Sequence, residues 1–191
     1  MQTTKQTLLH RTWTRESYFI STDPSLISIS DLNAAFATDL IYWAEPLPED
    51  VMRETLDNSL CFGLYDIQHD AKKTNSSAKP SDPYPEERKT LIGFARCVTD
   101  FSTFSYLTDV YILPSYQGKG LGKWIVRCVG EVHDSMPYLR RSMLFTSDWE
   151  RSVPLYKGVL GMDLVKGNGG KDGGGPAIMQ KLGPGFPMTL R

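Results

Sequence analysis

The chain has 191 residues, 40% of them hydrophobic and 23% charged, with a formal net charge of −1. That length is most simply one domain with a sizeable core, and the balance is ordinary for a soluble globular protein. Near-neutral charge excludes a general nucleic-acid binder, which needs a basic surface, and no apolar run approaches the roughly 18 residues of a membrane span.

In chain order, residues 1–16 are polar and read as a loose lead-in anchored by Trp13. They lack the apolar centre of a secretory signal, which points to the cytoplasm. Tyr18–Thr22 is β-rich and bounded by Asp23-Pro24, a first strand. Ser30-Asp31 is placed to cap a helix running through Leu32, Ala35, Phe36 and Leu40 to about Trp43, where Pro46 and Pro48 break the pattern. Pro48-Glu49-Asp50 opens a second helix to Asn58, with acidic residues where the helix dipole favours them. Leu60–Asp66 is a strand. Residues 68–88 have almost nothing to bury and predict a mobile insertion in a hairpin, closed by the strand Thr90–Val98. A turn over Asp100–Ser105 leads to the strand Tyr106–Leu113.

Beyond the helix Leu121–His133, Arg141–Ser147 is a strand and Ser152–Leu160 a short helix stopped by Gly161. Met162–Val165 is a strand, 167–175 a flexible glycine-rich loop, Ala177–Leu182 a last strand, and 184–191 a tail. One domain over 17–183 is expected, an α+β sandwich with a mixed sheet of six to seven strands and about four helices on its two faces. Cys61, Cys97 and Cys128 are odd in number, far apart and in apolar surroundings, so they read as buried free thiols of a reducing compartment. The three histidines are scattered, and no metal constellation is visible.

Gln117-Gly-Lys-Gly-Leu-Gly122 joins a buried strand to a helix. That order leaves unpaired backbone N–H groups at the turn and helix N-terminus, a partial positive charge that favours phosphates. Glycines at 118, 120 and 122 remove the side chains that would hold a phosphate off the backbone. The six residues alone are as often only a turn. A Walker A loop fails on spacing, because Trp124 follows Gly122-Lys123; a dinucleotide fingerprint fails because the glycines fall as Gly-x-Gly-x-Gly. Asp109 is conspicuous for another reason: a carboxylate inside an apolar strand is costly unless paired or working.

Gln117, Gly120 and Gly122 fit the pattern Gln/Arg-x-x-Gly-x-Gly/Ala, preceded by Val110-Tyr-Ile-Leu-Pro-Ser-Tyr116. Downstream, Leu155-Tyr156-Lys157 and Leu160-Gly161-Met162 resemble a second pattern, Leu-Tyr-x-x-x-Gly-Phe, with Met in place of Phe and one extra residue before the Gly. On these motifs and the element order, the chain from Tyr18 to Leu182 resembles the GNAT superfamily of acyl-CoA-dependent N-acetyltransferases. With Tyr18–Thr22, Tyr42-Trp-Ala44 and Ser59–Asp66 it is similar to a small subfamily of bacteria and fungi.

The resemblance implies acetyl-CoA as co-substrate, no metal, and transfer to a primary amine, of a small molecule first, by direct attack in a ternary complex. A protein N-terminus or lysine is the second acceptor class, and a module binding acyl-CoA without turnover a third reading. A homodimer stays open. The cofactor pyrophosphate would rest on Gln117, Gly118, Lys119, Gly120, Leu121, Gly122 and Lys123. Pantetheine would lie along the backbone of Ile112 and Leu113, with the Ile112 N–H polarising the thioester carbonyl. Tyr156 falls at the general acid, or is an ordinary packing residue. Asp109 falls where many members carry a glutamate base; otherwise it ties down the Asp100–Ser105 turn and ordered water takes the proton. Trp149 occupies the position of the family's pantetheine-binding Asn, leaving Ser147 or Asp148 to substitute. Tyr42, Trp43 and Phe104, with Phe101 and Tyr106, read equally as an acceptor wall or as core.

Overall fold

The computed structural model of the chain describes residues 4–68, 88–165 and 175–187. The expected insertion, the glycine-rich loop up to residue 174 and the last four residues of the tail lie outside them. The strands are β1 (Thr12–Arg15), β2 (Tyr18–Ser21), β3 (Ser59–Gln68), β4 (Arg88–Thr99), β5 (Phe104–Ile112), β6 (Arg141–Thr146), β7 (Asp163–Leu164) and β8 (Ala177–Leu182). They form one eight-stranded sheet in the order β1-β2-β3-β4-β5-β6-β8-β7. Every pairing is antiparallel except that of β5 with β6. The helices are α1 (Thr4–Leu8), α2 (Ile29–Phe36), α3 (Glu49–Asp57), α4 (Leu121–Asp134) and α5 (Ser152–Leu160).

Each face of the sheet has its own core. On one, Ile125, Val126, Val129 and Val132 of α4 and Leu160 of α5 pack on Phe62, Leu64, Leu107, Leu144 and Met179. Side chains of this kind contribute about 1.5–3 kcal/mol each when fully buried. On the other, Leu32 and Phe36 of α2 and Met52 and Leu56 of α3 cover Tyr65, Phe94 and Tyr111.

The structure corrects the sequence reading in three places. The supposed lead-in is structured: β1 pairs residue for residue with β2, and the Trp13 indole donates to Glu131 Oε2 on α4 at 2.7 Å. This raises the strand count to eight, above the six to seven expected. The first helix is capped by Ser28, whose hydroxyl accepts the Asp31 amide, and it ends at Phe36, because Thr38 turns extended (φ −101°, ψ 153°). Asp39–Ile41 then form only a 3-10 turn. The Asp100–Ser105 turn is held by Asp100 itself, whose Oδ1 accepts the amides of Ser102, Thr103 and Phe104. Burial opposes ionisation there, but these bonds and the Thr103 hydroxyl hold the Asp100 carboxyl well below the usual carboxylate range.

All three cysteines are free and buried, and burial pushes their thiols up, as expected of inert core cysteines.

Candidate active site

The site is organised by the parting of β5 and β6. Phe104, Ser105 and Tyr106 pair with Arg141, Ser142 and Met143. Beyond Met143, β6 follows β8 alone, while β5 continues to Ile112 against β4. A slot opens between the two strands with one free strand edge. The Leu113 N–H donates to the Ile92 carbonyl of the β4 side at 2.8 Å. Alternation along the strand therefore turns the Ile112 N–H and C=O toward the slot. The Ile112 carbonyl is taken by the Gln117 side-chain amide at 2.9 Å, which leaves the Ile112 N–H as the donor facing the opening. Leu113 lends its amide to the sheet, not to the slot.

The glycine-rich turn closes the end of this slot. Gly118 and Gly120 adopt left-handed backbone (φ 78° and 72°), and Gly120 is the N-cap of α4 without any side-chain cap. A Cβ at Gly118 would meet nothing within 4 Å, so the cradle is open. The amides of Leu121, Gly122 and Lys123 belong to the first helical turn and have no intrahelical acceptor. Among the described residues, those of Gly118, Lys119 and Gly120 also donate to nothing. The Gln117 amide is different: it donates to the Pro114 carbonyl at 3.2 Å. The cradle thus runs from Gly118 to Lys123, one residue shorter than the sequence suggests, and Gln117 serves as its tether to β5.

Tyr156 lies on α5 and is 8% exposed. Its hydroxyl makes no hydrogen bond among the described residues, and burial pushes the phenol up to about 12. A phenol in that state stays protonated at neutral pH and can serve as a proton donor.

Asp109 sits on the other face because β5 carries a bulge. Arg96 pairs with Thr108 and Phe94 with Tyr111, so Asp109 and Val110 together face Ala95. Asp109 takes a positive φ of 53°. The extra residue turns both Thr108 and Asp109 toward α2 and α3. Asp109 Oδ2 accepts from Arg96 Nε at 2.6 Å, and Arg96 Nη1 donates onward to Ser59 Oγ at 3.2 Å. Oδ1 receives longer bonds from Trp43 Nε1 at 3.3 Å and the Thr108 hydroxyl at 3.2 Å. Asp109 is therefore tied to β4 and to the α2–α3 connection rather than to the Asp100–Ser105 turn. A cavity of about 350 Å³ opens beside it, with apolar walls from Leu32, Phe36, Met52 and Phe94 and with Glu45 and Trp43 also on its lining.

The remaining expected residues divide. Trp43 reaches the cavity, and Tyr42 packs edge-on against it with ring centroids 5.0 Å apart. The Tyr42 hydroxyl bonds to Ser147 Oγ, linking the α2–α3 connection to the end of β6. Phe104 is not brought to the cavity: it pairs with Arg141 where β5 and β6 are still joined. Phe101 is core, and Tyr106 packs edge-on with Phe145. None of the three stand-ins for a pantetheine-binding Asn is free. Ser147 is engaged by Tyr42, Asp148 Oδ1 accepts the Arg151 amide ahead of α5, and the Trp149 indole donates to the Gly175 carbonyl.

One residue was invisible in the sequence. Arg15 of β1 donates from Nη2 to the Lys119 carbonyl at 2.8 Å and lies 5.2 Å from the Trp124 ring centroid. Nothing local in Thr-Trp-Thr-Arg announces that contact, which spans 104 positions.

Among the described residues no group of three or more His, Cys, Asp or Glu could hold a metal ion, and no helix is long and apolar enough to cross a membrane.

This geometry has known counterparts. The model of the acetyltransferase (GNAT) family matches residues 40–162. A Gibberella zeae protein described as a candidate acetyltransferase is 39% identical over 176 residues, covering 91% of this chain and 93% of that one. Thialysine N-epsilon-acetyltransferase of Bos taurus is 31% identical over 96 residues, 47% of this chain and 55% of that protein. The crystal structure of spermidine N-acetyltransferase from Vibrio cholerae, in complex with CoA and spermine, superposes with a TM-score of 0.55 at 14% identity, covering 88% of this chain and 96% of that one. The open strand edge, the amide cradle and the matched span give one answer: this chain is an acetyltransferase of the GNAT family.

Proposed function

We propose that the protein transfers the acetyl group of acetyl-CoA to a primary amine of a small molecule, by direct attack with both substrates bound. The observation that carries this reading is the two-sidedness of β5. The slot, the Gly118–Lys123 amides and Tyr156 suit the cofactor, while the Asp109 cavity beside the bulge suits an amine. The residues fit coenzyme A: the left-handed glycines leave an open cradle of unpaired N–H groups for a pyrophosphate, and the free edge of β5 can pair with an extended amide arm. Acetyl-CoA would supply an acyl thioester already activated toward amines.

The chain's own groups then have three tasks. The Ile112 N–H is placed to polarise the thioester carbonyl. Asp109 and Glu45 draw a cationic amine into a largely apolar cavity, and Oδ1, held only by the longer contacts, is the atom of Asp109 free to take the amine's proton. The Tyr156 phenol, kept protonated by burial, gives a proton to the departing thiolate. A small acceptor is favoured by the modest cavity of about 350 Å³ and by relatives whose names specify thialysine and spermidine.

The test is free-thiol release from acetyl-CoA across a panel of polyamines, amino acids, arylalkylamines and short peptides, with wild type and Tyr156→Phe. Turnover on a small amine, lowered about 100-fold or more in Tyr156→Phe with acetyl-CoA affinity within a few-fold, is the expected result. Saturable binding of acetyl-CoA with no thiol released on any amine would replace this reading with a binding module. Turnover on peptides alone would move the acceptor to protein termini or lysines.

A further inference from the structure

We propose that Arg15 is a phosphate-binding residue of the cofactor site, a guanidinium carried by the N-terminal hairpin to the rim of the amide cradle. The proposal rests on the acetyl-CoA reading above. Four observations support it. Arg15 Nη1 lies 4.0 Å from where a Cβ on Gly120 would stand, so the side chain borders the left-handed cap of α4. Nη2 holds the Lys119 carbonyl at 2.8 Å, fixing the guanidinium relative to the loop. The Trp124 ring, 5.2 Å from Cζ, supports it from the helix side. Finally, Arg15 makes no ion pair among the described residues, and its Nε is shielded from solvent with no partner.

A guanidinium without a counter-anion among the described residues, with one buried donor unpaired and beside six amides that find no acceptor among those residues, is matched by phosphate oxygens. The alternative cations are less well placed. Lys119 Nζ is drawn away to the Tyr18 hydroxyl at 3.3 Å and the Tyr116 ring at 4.9 Å, and Lys123 is an exposed residue of the first helical turn. Coenzyme A offers two phosphate sources, the pyrophosphate and the 3′-phosphate, which share the same oxygen chemistry.

The experiment compares wild type with Arg15→Met, an uncharged unbranched side chain, by calorimetry with acetyl-CoA and acetyl-dephospho-CoA and by kcat/KM with S-acetylpantetheine. The expected result is a loss of about 10-fold or more in acetyl-CoA affinity that shrinks as salt is raised. If the contact is to the 3′-phosphate, the two proteins become equal on acetyl-dephospho-CoA. If it is to the pyrophosphate, the loss persists there and disappears on S-acetylpantetheine. Equal affinity of both proteins for acetyl-CoA overturns the proposal, as does a loss of the same size on S-acetylpantetheine, which would mean that Arg15 only props the loop. Arg15→Lys provides the control on folding: it retains the charge and should recover part of the affinity, and a variant no better than Arg15→Met at equal thermal stability also counts against the assignment. Failure of wild type to bind acetyl-CoA would instead strike the functional reading beneath.

Discussion

Toward α4, β5 turns Leu107, Val110 and Ile112 into an apolar core, and what it offers the slot on that side is main chain. Toward α2 and α3 it turns Thr108 and Asp109 to a cavity, and there the Asp109 carboxylate accepts from the Trp43 indole and from the Arg96 guanidinium, which donates onward to the Ser59 hydroxyl. The two sides follow different rules. What we propose as the cofactor side relies chiefly on backbone geometry and absent side chains, with the Arg15 and Tyr156 side chains at its margins, so it suits a ligand that never changes. What we propose as the acceptor side would depend on particular side chains, so its specificity could be altered without disturbing the other.

The sharpest way to break that contrast is to put a side chain where the cofactor side needs none. Gly120→Asp tolerates the left-handed backbone better than most residues but sets a carboxylate at the cradle. Acetyl-CoA affinity should fall more than 100-fold by calorimetry, while Gly120→Asn, equal in shape and uncharged, should lose distinctly less. Equal losses would show that shape rather than charge governs the loop.

A smaller effect is expected on the acceptor side. Asp109→Asn keeps a residue suited to φ 53° but leaves Arg96, with 20% of its side chain exposed, without its anion. Stability should drop by about 3 kcal/mol in denaturant melts. Turnover should fall and the acceptor KM rise with acetyl-CoA affinity nearly unchanged, a separation that would fail if the two sides were one network.

The smallest effect tests the neutrality of the α4 side. His133 Nε2 lies 2.8 Å from Ser105 Oγ and 3.8 Å from Cys97 Sγ. Burial, with Lys181 nearby, depresses its pKa from 6.5 to about 4. The native state therefore resists a proton that the unfolded chain accepts, so stability falls as pH drops from 6.5 toward 4 and is unaffected above. Between pH 7 and 5 the loss should be about 2 kcal/mol, and His133→Gln should remove that slope. An unchanged slope in the variant would assign the acid sensitivity elsewhere.

The glycine-rich turn and the elements beside it were legible in the sequence because their code is local. Gly118, Gly120 and Gly122 fall where a strand, by way of the 3-10 turn Pro114–Tyr116, gives way to a helix, and α5 and β8 fall on the bounds read from their residue patterns. Long-range features were not legible. The β1 strand is four residues long, and Trp13 and Arg15 find their partners more than 100 positions away. Simple alternation would have sent Asp109 toward α4, because no residue pattern declares a bulge. Phe104 looked like a wall residue only because its neighbours in sequence are aromatic; its distance from the cavity is a property of where β5 and β6 part.

The bulge has a consequence for how separable the acceptor side is. Strike Asp109 from β5 and parity is preserved: Thr108 still looks one way, Val110 the other, and Tyr111 and Ile112 meet β4 as before. The anion is supernumerary to the ladder, a graft onto a strand that closes without it.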